Sequence, residues 1–523
     1  MKTKYILLAL LTGVFALSSC SKLLDIPRKA VIDTDTFYKT DDEIESAGIT
    51  MYSEVRGLYY NMVLAINMLT DDNYAGGAAH GDNVDMDALG EFGFNSETGQ
   101  IESTWKSLYN MVYDANVILG HIDPEKSAVA ARTVAEAHLF RGWAYFNLIS
   151  LWGNPPIVDH ELSPSEYEKG NGSTEELWNL VESDLLAAIN SGKLPEKETM
   201  GDKSVWRVTK QFGQALLGKA YLWMATSLND ASYYAKSAEQ FAAVVNSGLY
   251  DLFTEAPYGD IRNSAYKMNC EDIFESIRVN DEDNLGDNFD FYGAMVGWRS
   301  SGGEMTIPED VAGGGWGFMV PTQDLLDTFE AWEGKNSYRR TQTLKTYDEM
   351  RNMGVVFNQT TLSTGIFYWK GRFLTEELAY YSMVNTKNPL WMRYAEVLLC
   401  GAEANFMAGN KSVALTYVNK VRTRAQLPAL TEATLTLDAL KTEKRLEFCG
   451  EGFRYQDLVR WGDAYERMKE KGKDYPKMEP NGTVTYVSSG RSEYGFKQNK
   501  HERLPYPYTE TMLNHAIEQN TGY

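Results

Sequence analysis

The chain has 523 residues, of which 43% are hydrophobic and 23% charged, and this composition excludes a disordered or collagen-like protein. Its formal net charge of −22 excludes strong long-range attraction to nucleic acid or to an anionic lipid surface. The aromatic residues mostly combine an apolar ring with a polar tip, since 32 tyrosines and 12 tryptophans stand against 21 phenylalanines.

The N-terminus predicts a secretory signal. Two lysines precede an apolar run that is too short to span a bilayer, and small residues follow it. The tetrad LSSC at residues 17–20 resembles a bacterial lipobox, in which the signal is cleaved before the cysteine and the cysteine receives the lipid. We expect residues 1–19 to be a signal peptide and Cys20 to be the lipidated start of a single domain over residues 20–523. No later stretch reaches the roughly 18 apolar residues of a membrane span, so lipid would be the only anchor.

Apolar residues at helical spacing predict an all-α scaffold. The helical stretches are about 105–152, 205–250 and 390–462. Within the second stretch, Leu217, Gly218 and Tyr221 match the core of a tetratricopeptide helix, while Ser237 and Phe241 take the matching positions of its partner. The spacing therefore predicts tetratricopeptide-like helical repeats.

The third stretch repeats this pattern. Ala402 takes the small-residue position, and Ala414 with Val418 takes the positions of the partner helix. Large loop-rich insertions interrupt the repeats at about 71–100 and 253–318, where Gly, Asn, Asp and aromatic residues show no sustained periodicity. Long loops on a helical scaffold commonly carry the binding surface, and simple coverage of the repeat core is the alternative.

No strong catalytic motif occurs in the chain. The HExxH, GxSxG and P-loop patterns are all missing from the sequence. A glycosidase could use Glu443, Glu447 or Glu451, but this spacing places all three along one helix face, whereas a glycosidase needs carboxylates on opposite sides of the scissile bond. Arginines and apolar residues alternate with these glutamates, so we expect a structural ion-pair network instead.

Cysteines and acidic loops indicate no cofactor. Cys400 and Cys449 lie in apolar helical contexts and are expected to be small buried hydrophobic residues. The run that starts at Asp281 begins like a calcium loop, but Leu285 and Tyr292 occupy two of its ligand positions. We expect no cofactor, with calcium as the alternative.

Seven segments in order along the chain resemble the SusD/RagB family of outer-membrane lipoproteins. They are CSKLLDIP at 20–27, AEAHLFRGWAYFNLISLWGNPPIV at 135–158, PTQDLLDTFE at 321–330, MRYAEVLLCGAEANF at 392–406, EKRLEFCGEGFRYQDLVRWG at 443–462, LPYPYTE at 504–510 and QNTGY at 519–523. The resemblance implies four tetratricopeptide-like repeats, a substrate site in loops away from them, and no catalysis. It also implies a location at the outer membrane of a Gram-negative bacterium and a TonB-dependent transporter as partner. The family usually has proline where this chain has Thr521.

A glycan site needs flat aromatic surfaces flanked by polar side chains, because sugars expose C–H faces and hydroxyl groups. The insertions contain this mixture. The expected ligand-binding residues are Trp298 and Trp316 as stacking platforms, with Tyr74, Tyr292, Asp72, Asn73 and Arg299 beside them. For each tryptophan, a buried loop anchor is the alternative.

These observations favour a non-catalytic lipoprotein that captures an oligosaccharide and delivers it to the transporter. Two alternatives stay open at this stage. The same family also supports peptide capture, which a deep groove with exposed backbone-pairing groups would favour. A glycoside hydrolase with an unrecognised site is the enzymatic alternative.

Overall fold

A computed structural model describes residues 38–197, 206–278, 289–377 and 384–523. The predicted signal peptide, the predicted lipid-bearing Cys20 and the calcium-like run at Asp281 lie outside these ranges. Within them, no helix combines the length and the apolar character that crossing a membrane requires.

The N-terminal part of the scaffold is helical, with one short strand. The elements are α1 (Asp41–Met68), β1 (Asn73–Gly76), α2 (Val84–Glu91), α3 (Gly99–His121), α4 (Ala128–Trp152), α5 (Thr174–Asn190), α6 (Lys210–Ser227) and α7 (Ser232–Asn246). Local sequence determines where several of them begin. Thr40 and Glu43 form a capping box at the start of α1, and Ser173 and Glu176 form another at the start of α5.

Short elements fill the middle of the chain. They are β2 (Asp272–Glu275), α8 (Phe291–Val296), β3 (Met305–Thr306), β4 (Phe318–Pro321), α9 (Gln323–Glu333), α10 (Tyr338–Thr343), β5 (Leu344–Thr346), α11 (Tyr347–Asn352), β6 (Val356–Phe357) and β7 (Ile366–Tyr368). Because these elements are short, their positions depend on packing against the helical scaffold rather than on local propensity.

The C-terminal part returns to helix and ends near the first repeats. Its elements are β8 (Leu390–Arg393), α12 (Tyr394–Met407), α13 (Lys411–Arg424), α14 (Leu437–Phe448), α15 (Arg454–Trp461), α16 (Ala464–Met468), β9 (Asp474–Met478), β10 (Val484–Ser488) and α17 (Tyr508–Leu513). All strand pairs are antiparallel and two-stranded: β1 with β4, β2 with β8, β3 with β6, β5 with β7 and β9 with β10.

The long helices pack against one another in chain order. Contacts run from α1 through α3, α4, α5, α6 and α7, and then α12 packs on both α7 and α13. At the α6–α7 contact, a Cβ atom on Gly218 would lie 2.9 Å from the Phe241 ring, and the Ser237 hydroxyl donates to the Gly218 carbonyl at 2.7 Å. In the last pair, Ala402, Ala414 and Val418 are fully buried. The predicted helical repeats are confirmed.

The two predicted insertions are mainly irregular but contain regular elements that periodicity did not reveal. The stretch 71–100 includes β1 and α2, and the described part of 253–318 includes β2, α8 and β3. The stretch 390–462 also begins with strand β8 rather than with helix. Such short elements carry too few residues for a period to be recognised.

The glutamates of the C-terminal motif form a buried ion-pair network, as predicted. Arg339 binds Glu443 at 2.8 Å and Glu447 at 3.0 Å, and Arg393 binds Glu447 at 2.7 Å and Glu451 at 2.9 Å, with every one of these side chains at most 4% exposed. Burial acts to raise the pKa of Glu447, but the surrounding arginines outweigh it and lower that pKa to about 2. A carboxylate held ionised and inaccessible in this way does not serve as a glycosidase acid.

The two cysteines predicted to be buried are buried. Cys400 is fully inaccessible and Cys449 is 2% exposed. Burial raises the pKa of Cys400 to about 11 and that of Cys449 to about 12, so both thiols stay protonated at neutral pH.

Candidate functional site

Four aromatic side chains form a partly open surface that we call the aromatic ledge: Tyr60, Phe289, Phe291 and Trp316. Their ring centroids follow one another at 5.6 Å from Tyr60 to Phe291, 4.5 Å from Phe291 to Phe289 and 6.4 Å from Phe289 to Trp316. Phe291 is 51% exposed, and the other three are half-buried. The ledge therefore offers adjoining ring surface to solvent instead of enclosing it in the core.

Glycines bring the segment that carries Trp316 close to the segment that follows α8. A Cβ atom on Gly315 would lie 2.6 Å from the Gly297 Cα, so only a glycine fits this backbone approach. The Trp316 amide donates to the Ala294 carbonyl at 2.8 Å, and the Gly317 amide donates to the Gly297 carbonyl at 2.8 Å. These backbone bonds hold Trp316 beside the helix that supplies Phe291.

Arg299 gives the ledge a polar edge. Its Nε donates to Glu304 at 2.8 Å and its Nη1 donates to the Trp316 carbonyl at 3.0 Å. Asp82, in the loop after β1, lies 3.7 Å from Nη1. Arg299 therefore supports the Trp316 backbone, and with its side chain 14% exposed it offers little surface for the predicted ligand contact.

Trp298 does not present the open platform that the sequence predicted. It is 5% exposed, and its indole N–H donates to the Tyr368 carbonyl at 2.9 Å. The rings of Phe367 and Trp369 lie within 6.3 Å of it. The alternative of a buried loop anchor is the correct description of this tryptophan.

Asp72 and Asn73 are also turned inward, so the prediction that they offer free polar groups is wrong. Asp72 is 1% exposed and accepts from Arg445 Nε at 2.8 Å. Asn73 is fully buried, donates to the Asn67 carbonyl at 3.0 Å and accepts from the Tyr368 hydroxyl at 2.7 Å. Both residues fix the start of β1.

The two predicted tyrosines lie apart from the ledge rings. Tyr292 is half-buried, and its hydroxyl donates to the Gly450 carbonyl at 2.8 Å, so it attaches α8 to the segment that follows α14. Tyr74 is half-buried and contacts Tyr486 of β10 at 6.3 Å between ring centroids, beside a separate open groove of about 390 Å³. Of the predicted stacking residues, the structure brings only Trp316 to the ledge.

Sequence reasoning missed Tyr60, Phe289 and Phe291. Tyr60 follows the helical pattern of α1, and therefore resembled a core position. Phe289 and Phe291 alternate with Asp290, whose side chain caps α8 by accepting from the Gly293 amide at 3.1 Å. A capping aspartate within an aromatic run was the sequence signal that could have identified Phe289 and Phe291.

No metal centre competes with this description in the part of the chain that the structure describes. Within it, no group of three or more His, Cys, Asp or Glu side chains is arranged to hold an ion.

Two family models match the chain in succession. The model described as starch-binding associating with outer membrane matches residues 28–223, and the model described as SusD family matches residues 331–523. Among curated relatives, a SusD-like protein of Formosa agariphila is 24% identical over 98% of both chains. A SusD-like protein of Bacteroides ovatus is 24% identical over 88% of this chain and 83% of its own.

Solved structures repeat the same architecture. A structure described as a laminarin binding SusD-like protein aligns with a TM-score of 0.77 and 26% identity, covering 93% of this chain and 100% of its own. Surface glycan-binding protein A from Bacteroides thetaiotaomicron in complex with laminarihexaose aligns with a TM-score of 0.73 and 22% identity, covering 92% and 99%. The chain belongs to the SusD/RagB family.

Proposed function

We propose that the protein is a non-catalytic lipoprotein that binds an oligosaccharide on the aromatic ledge and delivers it to a TonB-dependent transporter of the outer membrane. The observation that carries the proposal is the run of four adjoining rings with Phe291 half exposed. Rings of this kind stack on the C–H faces of sugars at little entropic cost. The structural neighbours named for laminarin and laminarihexaose support the same class of ligand.

The ledge suits a neutral ligand in an acidic chain. Its rings carry no formal charge at neutral pH, and burial raises the pKa of the Tyr60 hydroxyl, with Asp85 adding to the effect. Among the described residues the Trp316 indole N–H has no hydrogen-bond acceptor, so it is free to donate to a sugar hydroxyl. Arg299 and Asp82 add hydrogen-bonding groups at the edge.

Replacement of Trp316 tests this function directly. Affinity electrophoresis against a polysaccharide panel identifies the ligand, and Trp316→Ala is expected to weaken its binding at least tenfold, or about 1.4 kcal/mol. Tyr113→Ala removes a ring that is 57% exposed on α3, away from the ledge, and should bind as the parent does. Unchanged affinity in Trp316→Ala would contradict the proposal.

The same incubation separates binding from hydrolysis. Prolonged contact with the ligand should release no new reducing ends. Released sugar would favour the glycoside hydrolase, and binding of peptides in place of every glycan would favour peptide capture.

Membrane attachment through Cys20 belongs to the same proposal. In the native host, Cys20→Ser is expected to abolish incorporation of labelled palmitate and to release the protein from the outer-membrane fraction. The partner transporter should co-purify with the lipidated parent from solubilised membranes. If Cys20→Ser keeps both the palmitate label and the membrane location, Cys20 is not the anchor.

A further inference from the structure

A cavity of about 60 Å³ lies against α8, and none of the four ledge residues lines it. The short helix contributes to both features, since Phe291 belongs to the ledge and Tyr292 lines the cavity. One buried water needs roughly 10–15 Å³ of such space, so the cavity has room for a small ion with some water. Two carboxylates, Asp290 and Glu451, line it together with five basic side chains: Arg262, Arg278, Lys370, Arg372 and Lys387.

Three of these five cations form carboxylate pairs of 3.2 Å or shorter. Lys370 pairs with Glu451 at 2.8 Å, Arg372 pairs with Asp260 at 2.7 Å, and Lys387 pairs with Glu377 at 3.2 Å. Their charges are therefore compensated without any ligand.

Arg262 and Arg278 are compensated less completely. Arg262 donates to the Tyr59 hydroxyl at 2.9 Å and has no carboxylate within 4.0 Å among the described residues. Arg278 is 10% exposed in its side chain, and the Asp290 carboxylate stays 3.4 Å from its Nη1. Among the described residues, the buried Nε and Nη1 of Arg278 have no hydrogen-bond partner.

Asp290 pairs with Arg278 only through the long 3.4 Å contact, and it also serves two other donors. Its carboxylate oxygens accept from the Gly293 amide at 3.1 Å and from Asn385 Nδ2 at 3.1 Å. Two guanidinium groups thus line one cavity with donors to spare. Buried donors without acceptors are costly, and the planar fork of a guanidinium group matches the oxygens of an oxyanion.

We propose that this cavity is an oxyanion site, in which Arg262 and Arg278 bind a sulfate- or phosphate-like group that is either a free ion or a substituent of a sugar. Such a site is unexpected in a chain with a net charge of −22, because the overall field repels anions. The local excess of donors must therefore provide the attraction. The site is independent of glycan stacking on the ledge.

Equilibrium dialysis of the full chain with radiolabelled inorganic sulfate tests the site. We expect one saturable site per chain, displaced by phosphate but not by chloride at equal ionic strength. Arg278→Gln and Arg262→Gln should each weaken sulfate binding at least tenfold. Arg351→Gln, which removes an exposed arginine on α11, should bind as the parent does. Absence of saturable binding, or equal binding by all three variants, would overturn the proposal.

Thermal unfolding distinguishes an ion site from a purely structural arginine. Without sulfate, Arg278→Gln should melt close to the parent, since the charge that is removed has only one long contact, to Asp290 at 3.4 Å. Asp290 keeps its hydrogen bonds from Gly293 and Asn385. With sulfate, the parent should gain more stability than Arg278→Gln, whose response measures the general salting effect of sulfate. A variant that is less stable without sulfate and responds equally to it would show a structural role only.

The source of the anion can be identified by comparing the binding of a sulfated oligosaccharide with that of its chemically desulfated counterpart. If the sugar carries the anion, Arg278→Gln weakens binding of the sulfated form alone. If the free ion is the occupant, inorganic sulfate binds and the two oligosaccharides bind alike. Trp316→Ala should still bind inorganic sulfate. The experiment therefore distinguishes a wrong proposal for glycan binding on the ledge from a wrong proposal for sulfate binding in the cavity.

Discussion

The repeat helices and the aromatic ledge are built from the same residue types but differ in how completely those residues are enclosed. In the repeats, Trp105 meets Trp152 edge-to-face at 5.3 Å and Tyr506 at 5.4 Å, and all three are at most 4% exposed. On the ledge, the rings of Phe291 and Trp316 keep part of their surface in solvent. An aromatic residue therefore indicates a binding surface only where its neighbours leave it uncovered.

Charged side chains show the same contrast. Glu447 is surrounded by Arg339, Arg393 and Arg424 and has no access to solvent. Arg299 at the ledge keeps some exposure although it also forms an ion pair. The network joins distant parts of the scaffold, whereas we expect substitutions on the ledge to leave the fold intact. The following predictions test this difference.

The largest expected effect is on the network. Glu447→Ala leaves three buried arginines without their shared carboxylate, and we expect the free energy of unfolding to fall by about 3–5 kcal/mol, measured by urea denaturation. Glu432→Ala, on an exposed turn, should change it by less than about 0.5 kcal/mol. A loss of under about 1 kcal/mol for Glu447→Ala would mean that the network is not essential to stability.

Acid should weaken the same network. The arginines hold the pKa of Glu447 at about 2 in the folded protein, below the ordinary value of 4.5. The unfolded chain therefore binds more protons between these values, so stability present above pH 4.5 is lost as the pH falls toward 2. The contribution is on the order of 3 kcal/mol. Urea midpoints measured from pH 6 to pH 3 should fall, and a flat profile would contradict the ion-pair description.

The smallest effect on stability is expected at the ledge. Phe291→Ala removes a ring that is 51% exposed, so the free energy of unfolding should change by less than about 1 kcal/mol. Ligand affinity should fall severalfold because the ledge loses its most exposed ring. Tyr167→Ala, which removes another exposed ring, serves as the control for both measurements. Severe destabilisation with unchanged affinity would place Phe291 with the scaffold instead.

Periodicity predicted the scaffold because repeat helices bury one face each, and burial at every third or fourth residue is visible along the chain. For example, Gly218 has no side chain, which leaves room for the Phe241 ring. Periodicity did not predict the ledge. Trp298 and Trp316 are close in an irregular segment, yet one is buried and the other half-open.

The sequence by itself determined the helical repeats, the ion-pair network and the family, because each depends on residues at regular spacing or in a recognisable order. Only the tertiary structure decided which loop residues remain open. Asp72 and Asn73 turned inward because Arg445 and Tyr368 satisfy them across more than 290 residues of chain. Tyr60 and Phe291 meet although more than 200 residues of chain separate them. Such contacts have no local signature, since they arise from the packing of distant segments.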